Sequence, residues 1–229
     1  MKIGIPKEIK AQESRVGIVP SGVFVLTRDG HRVILERDAG VESGFSNEEY
    51  EDAGAVLVDS AEEVYGESEM IMKVKEPLPP EYELIRNDHI VFTYFHFAAS
   101  EDLTRAMQGT GALCVAYETL ELEDGSLPLL IPMSEIAGRM APQAGATYLE
   151  RHFGGRGVLL GGVPGVMPAT VTVLGGGVSG THAALIAAGM GARVYVLDVN
   201  LSRLRYLSEI MPRNVTPIFS THQSIGDCC

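Results

Sequence analysis

Residues 171–182 read Val-Thr-Val-Leu-Gly-Gly-Gly-Val-Ser-Gly-Thr-His, and residues 192–198 read Ala-Arg-Val-Tyr-Val-Leu-Asp. The first four residues are apolar or β-branched and suit a buried parallel strand. Gly175, Gly177 and Gly180 follow with G-x-G-x-x-G spacing. The first glycine permits a tight turn, the second lets the backbone approach a pyrophosphate, and the third lets a helix pack closely on the strand. A helix starting near Val178 and Ser179 would offer unpaired N–H groups and the positive end of its dipole to phosphates. Arg193–Leu197 reads as a second strand that ends in Asp198. A carboxylate there accepts hydrogen bonds from an adenosine ribose and repels a 2′-phosphate, which favours NAD over NADP. Strand, glycines, helix, strand and acid in register predict a dinucleotide-binding βαβ unit.

The remaining composition narrows the class. The 229 residues carry a formal charge of −12, which argues against nucleic acid or an anionic membrane surface as partner. A hydrophobic content of 45% and a charged content of 21% are those of a globular protein. The most apolar stretch, 158–174, is broken by Gly161, Gly162, Pro164, Gly165 and Pro168, so no membrane span is expected. Cys114, Cys228 and Cys229 offer neither a disulfide framework nor metal spacing. The start of the chain has no apolar core of signal-peptide length, and a cytoplasmic location is expected.

Residues 1–130 alternate short Val/Ile-rich strands (1–5, 32–35, 71–74, 90–94, 113–116) with helices (20–29, 46–53, 60–65, 80–85, 100–109). Ser46, Ser60 and Ser100 stand at N-cap positions, and Glu49 and Glu63 complete capping boxes for the first two. This alternation predicts an α/β domain built on a mostly parallel sheet. A long helix over 134–153 begins at Ser134 and carries Ile136, Met140, Ala144 and Tyr148 as an apolar stripe, with Pro142 bending it. It links the first domain (1–130) to a second (131–229). A helix over 201–210 and a third strand over 215–219 follow Asp198. That makes only the first half of a Rossmann-type fold, so the chain reads as truncated.

Three further side chains stand out. Arg15 lies in a polar loop after the first strand; its planar fork suits a carboxylate, although a solvated surface arginine is the simpler reading from the residues alone. Lys75 ends a strand, where ligands bind in α/β domains, but Lys73 lies two residues back on the same face, and periodicity does not choose between them. His96 interrupts the apolar run Ile-Val-Phe-Thr-Tyr-Phe-His-Phe-Ala. Such a histidine is a hydrogen-bonded core residue or a proton-transfer group.

Seven motifs together resemble the bacterial alanine dehydrogenases. They are Met-Lys-Ile-Gly-Ile-Pro-Lys-Glu-Ile-Lys at 1–10, Glu-Ser-Arg-Val-Gly at 13–17, Val-Lys-Glu-Pro at 74–77, Tyr-Phe-His-Phe-Ala at 94–98, Pro-Met-Ser-Glu-Ile-Ala-Gly-Arg-Met at 132–140, Gly-Gly-Val-Pro-Gly-Val at 161–166 and Leu-Gly-Gly-Gly-Val-Ser-Gly-Thr at 174–181. The resemblance is colinear to about residue 220. It implies a two-domain enzyme that interconverts L-alanine with pyruvate and ammonia using NAD, assembled as a hexamer. It implies that Arg15 and Lys75 bind substrate and that His96 is an acid–base residue. Ser134, Gly175, Gly177, Val178, Ser179, Gly180, Asp198, Arg203 and Ser220 are implied to touch the cofactor. No metal is implied. The family's second acid–base residue, an aspartate, belongs to a later segment, and Asp227 is not assigned that role. A transhydrogenase α subunit shares the N-terminal pattern and glycine fingerprint and is the alternative, beside a catalytically inactive assembly fragment.

Overall fold

The computed structural model describes residues 1–228; Cys229 lies outside them. The chain divides into two compact units, Met1–Leu127 and Pro128–Cys229.

The first unit runs β1 (Lys2–Ile5), α1 (Pro20–Arg28), β2 (Arg32–Glu36), α2 (Asn47–Asp52), β3 (Val56–Val58), α3 (Ala61–Glu67), β4 (Met70–Lys75), α4 (Pro79–Tyr82), β5 (Ile90–Tyr94), α5 (Glu101–Thr110) and β6 (Leu113–Ala116). Its six strands are all parallel in the order β3-β2-β1-β4-β5-β6. Both faces are buried, which is why the strands read as continuous Val/Ile runs rather than alternating ones. Ile3, Ile5, Val33 and Leu35 pack with Val23 and Tyr50 on one face. Ile71, Val91 and Phe95 pack with Tyr65, Leu103 and Met107 in a second cluster. The sequence reading has no counterpart of β3, because Val56–Val58 is too short to show a period.

Capping follows the sequence at Ser46, whose hydroxyl accepts from Glu49 N–H while Glu49 returns a bond to Ser46 N–H. Ser100 caps Leu103 in the same way. Ser60 accepts from Glu63 N–H, but the Glu63 carboxylate bonds Asp59 N–H instead of closing a box.

The second unit contains α6 (Ile131–Leu149), β7 (Thr170–Leu174), α7 (Val178–Gly189), β8 (Arg193–Asp198), α8 (Leu201–Ile210), β9 (Val215–Phe219) and α9 (His222–Cys228). Its parallel sheet runs β7-β8-β9. Val194 and Val196 of the central strand are buried beneath Ala184, Ala187 and Ala188 of α7 and Leu207 of α8. The whole is an α/β fold of parallel sheets wound with helices, as the alternating pattern requires.

Three expectations fail at α6. Ser134 does not cap the helix: Pro132 in the first turn starts it three residues earlier, and Ser134 N–H donates to Leu130 O (3.0 Å). The helix also ends at Leu149, followed by a single 3-10 turn over Arg151–Phe153. The stripe of Ile136, Met140 and Tyr148 is exposed. The packed face instead carries Gly138 and Pro142, because α6 lies so close to α7 that a Cβ on Gly138 would fall 2.2 Å from Ser179 O.

Candidate functional site

In a parallel sheet ordered 3-2-1-4-5-6, the crevice for ligands opens at the carboxyl ends of the strands, where the order reverses between the first and fourth. In the first unit that point lies between β1 and β4. The loop after β1 carries Arg15, and Lys75 is the last residue of β4. His96 follows β5 and Glu118 follows β6. Four adjacent strands therefore deliver these four residues to one edge of the sheet. Gly17 seats the Arg15 loop on β4; a Cβ there would meet Met72 O at 2.8 Å.

Arg15 donates from Nε (2.7 Å) and Nη2 (2.6 Å) to the two oxygens of Glu13, and its own N–H bonds Glu13 as well. That side-chain hydrogen bond holds the Glu13 carboxyl below its usual range and raises Arg15. The fork is thus oriented by a neighbouring carboxylate, a partner that sequence spacing alone does not reveal.

Burial separates the two lysines. The side chain of Lys73 is fully buried, with its ammonium 2.8 Å from Glu81 and 3.3 Å from Glu8. Tyr65 O–H donates to Glu81 (3.0 Å), and burial pushes this phenol well above its ordinary value. Lys73 is a structural counter-ion. Lys75 is half-buried, and among the described residues its ammonium forms no ion pair.

His96 is exposed rather than part of the core, because the strand ends at Tyr94. Its backbone is left-handed (φ 53°, ψ 41°), an uncommon conformation for a residue other than glycine. Its N–H donates to Glu118 Oε1 (2.7 Å), which pins the turn. The imidazole lies nearly parallel to the Tyr94 ring, centroids 6.5 Å apart. Glu118 Oε2 is buried and has no hydrogen-bond partner among the described residues. His89, in contrast, is buried between Arg86 N–H and Tyr65 O, and desolvation lowers its pKa.

In the second unit the glycine loop has the geometry a dinucleotide needs. Gly175 is left-handed (φ 95°), and a Cβ on Gly180 would fall 1.8 Å from Gly175 O. At Gly177 a Cβ would meet nothing within 4 Å. Open space there, ahead of a helix that no side chain caps, fits an approaching phosphate. Val178 and Ser179 begin α7, so their N–H groups have no intrahelical acceptor. Ser179 Oγ donates to Ser134 O (2.9 Å), tying α6 to this turn.

Asp198 ends β8 and accepts from Gly176 N–H (2.7 Å) and Asn200 N–H (2.8 Å). These backbone bonds, Asn200 first, hold its carboxyl below the ordinary range. Each oxygen keeps a lone pair for a ribose hydroxyl. Arg203 turns back onto the glycine loop, donating to Thr181 Oγ1 (2.6 Å) and to Gly176 O. Ser220 follows β9, and its N–H donates to Asp198 O (3.0 Å). Among the described residues, no group of three or more His, Cys, Asp or Glu side chains is arranged to hold a metal, and no helix is long and apolar enough to cross a membrane.

Known proteins resemble the chain throughout its length. Residues 4–137 match the family profile "Alanine dehydrogenase/PNT, N-terminal domain", and residues 141–229 match the corresponding C-terminal domain. An alanine dehydrogenase of Methanococcus maripaludis is 53% identical over 226 residues, covering 99% of this chain and 61% of the relative. One of Geobacillus stearothermophilus is 50% identical over 228 residues, covering 100% and 61%. A solved L-alanine dehydrogenase superposes with a TM-score of 0.92 at 51% identity, over 100% of this chain and 63% of that one. A transhydrogenase from Sinorhizobium meliloti is more distant, at 0.78 and 25% over 99% and 64%. The chain spans about 61% of the length of these curated relatives. With both domain profiles matched and half its residues shared with these relatives, the chain belongs to the alanine dehydrogenase/PNT family.

Proposed function

We propose that this chain is the substrate-binding part, and the first βαβαβ half of the NAD-binding part, of an alanine dehydrogenase. The reaction is reversible: L-alanine, water and NAD give pyruvate, ammonia and NADH. The observation that carries the reading is the delivery of Arg15, Lys75 and His96 to one edge of the sheet by neighbouring strands. When bound, NAD supplies the acceptor for the hydride that leaves the substrate Cα. Arg15, its plane fixed by Glu13, binds the substrate carboxylate through charge-assisted hydrogen bonds. Lys75 donates to the keto oxygen and stabilises negative charge as it develops there. The His96 imidazole takes a proton from the water that attacks the substrate imine, and returns one to the departing amine. Asp198 selects NAD by accepting from the ribose, with Arg203 and Ser220 framing the adenosine end, and Ser134 lying behind the phosphate turn. By kinship the working form is a cytoplasmic homo-hexamer.

The test is product identification. The full-length gene product, given L-alanine and NAD, should release pyruvate and ammonium in equal amounts; consumption of NAD without either product would rule the reading out.

A further inference from the structure

We infer that Glu8 is a positioning residue: it sets the end of β4 so that the Lys75 ammonium meets the substrate. This rests on the proposed role of Lys75.

β1 pairs with β4 only at Ile3–Met70 and Gly4–Ile71. Beyond that point β1 has only Ile5 left, and β4 itself shifts register against β5 between Met72 and Lys75. A strand end with half its ladder missing would fray. Glu8 takes the place of the absent strand. Its Oε1 accepts from Val74 N–H (2.6 Å) and Lys75 N–H (3.2 Å), and its Oε2 faces Lys73 Nζ at 3.3 Å. The Glu8 side chain is only 3% exposed, so these bonds compete little with water. Lys73 in turn pairs with Glu81, and Glu81 accepts Leu78 N–H (2.9 Å), fixing the chain on the far side of Lys75. Thr93 Oγ1 donates to Lys75 O (2.8 Å). The backbone of Lys75 is therefore held on both sides by groups that leave its ammonium out of every ion pair among the described residues. A carboxylate is well suited to the task, because one oxygen spans two successive amides while the other neutralises the buried ammonium.

A double-mutant cycle on the full-length gene product tests this. Glu8→Ala should raise the pyruvate KM about tenfold, the scale of losing charge-assisted hydrogen bonds, with NAD affinity unchanged. Glu8→Gln, whose amide oxygen still accepts from both N–H groups, should recover most of that loss. In a Lys75→Ala background, Glu8→Ala should change the pyruvate KM by less than about twofold, because coupled residues are not additive. Multiplicative effects would overturn the inference, since Glu8 would then act on the fold at large. If Lys75→Ala raises the KM and Glu8→Ala does not, the positioning role fails while that of Lys75 stands. If Lys75→Ala leaves the KM unchanged, the substrate role of Lys75 itself fails. Should Glu8→Ala not fold, Glu8→Asp, which shortens the reach, must impair pyruvate binding more than Glu8→Gln; the reverse order overturns the inference.

Discussion

Asp198 Oδ2 accepts the backbone N–H of Gly176 at 2.7 Å, joining the end of β8 to the glycine turn that follows β7. The acid thus shapes the glycine turn in addition to its proposed part in binding the ribose. Gly176 is buried, so its amide would otherwise lose its partner. Asp198→Ala should lower both NAD affinity and the melting temperature. Asp198→Asn keeps one accepting oxygen and loses the other, so it should lower the melting temperature less than Asp198→Ala while losing the preference for NAD over NADP. Calorimetric titration with each dinucleotide checks this; an Asn variant with intact NAD preference would contradict it.

The two lysines of β4 should respond oppositely to substitution. Removing one partner of a buried ion pair leaves an uncompensated charge and costs about 3–5 kcal/mol. Lys73→Ala should therefore lower stability to denaturant by about that much. Lys75→Ala should leave stability nearly unchanged and weaken pyruvate binding. Urea melts and pyruvate titrations on the two variants separate the roles.

Arg15→Lys keeps the charge but loses the planar fork that Glu13 aligns. The pyruvate KM should rise about tenfold or more, as expected for a lost bidentate contact, with a smaller change in kcat. Steady-state kinetics in the amination direction measure the split.

His89 supplies a pH signature of the first unit. Its folded pKa lies below the ordinary 6.5, through desolvation first and the Arg86 charge second. The unfolded chain therefore binds more protons than the folded one between these two values, and stability falls with acidification. This contribution is fully present above pH 6.5 and is lost as pH drops below it. His89→Gln should flatten that part of the pH–stability curve in chemical melts.

Most of the fold was legible because its signals are local. Val/Ile runs, Ser N-caps and the glycine spacing mark their own elements, and Arg193–Asp198 and Leu201–Ile210 stand where the pattern put them. The α6 surprises arise from packing. Gly138 permits an approach to α7 that turns the small-residue face inward and leaves Met140 and Tyr148 exposed, so apolar periodicity pointed to the wrong face. Similarly, periodicity could not separate Lys73 from Lys75, because only the positions of Glu8 and Glu81 distinguish a buried counter-ion from a strand-end donor. Glu8 and Glu118 act on groups brought near by folding, whereas Glu13 acts on Arg15 two residues away through a side-chain orientation that spacing does not show. A signal was present in Pro-Lys-Glu directly after β1, where a carboxylate at a strand end has amides within reach.

The most direct test is alanine-dependent reduction of NAD by the full-length gene product, measured beside its His96→Ala variant. The account predicts clear NADH formation that needs L-alanine, and a turnover reduced about 10²-fold or more in the variant, as for loss of an acid–base group, with NAD affinity retained. A His96→Ala protein that turns over at the unmodified rate, or an unmodified protein that binds NAD yet never reduces it with alanine, would contradict the account.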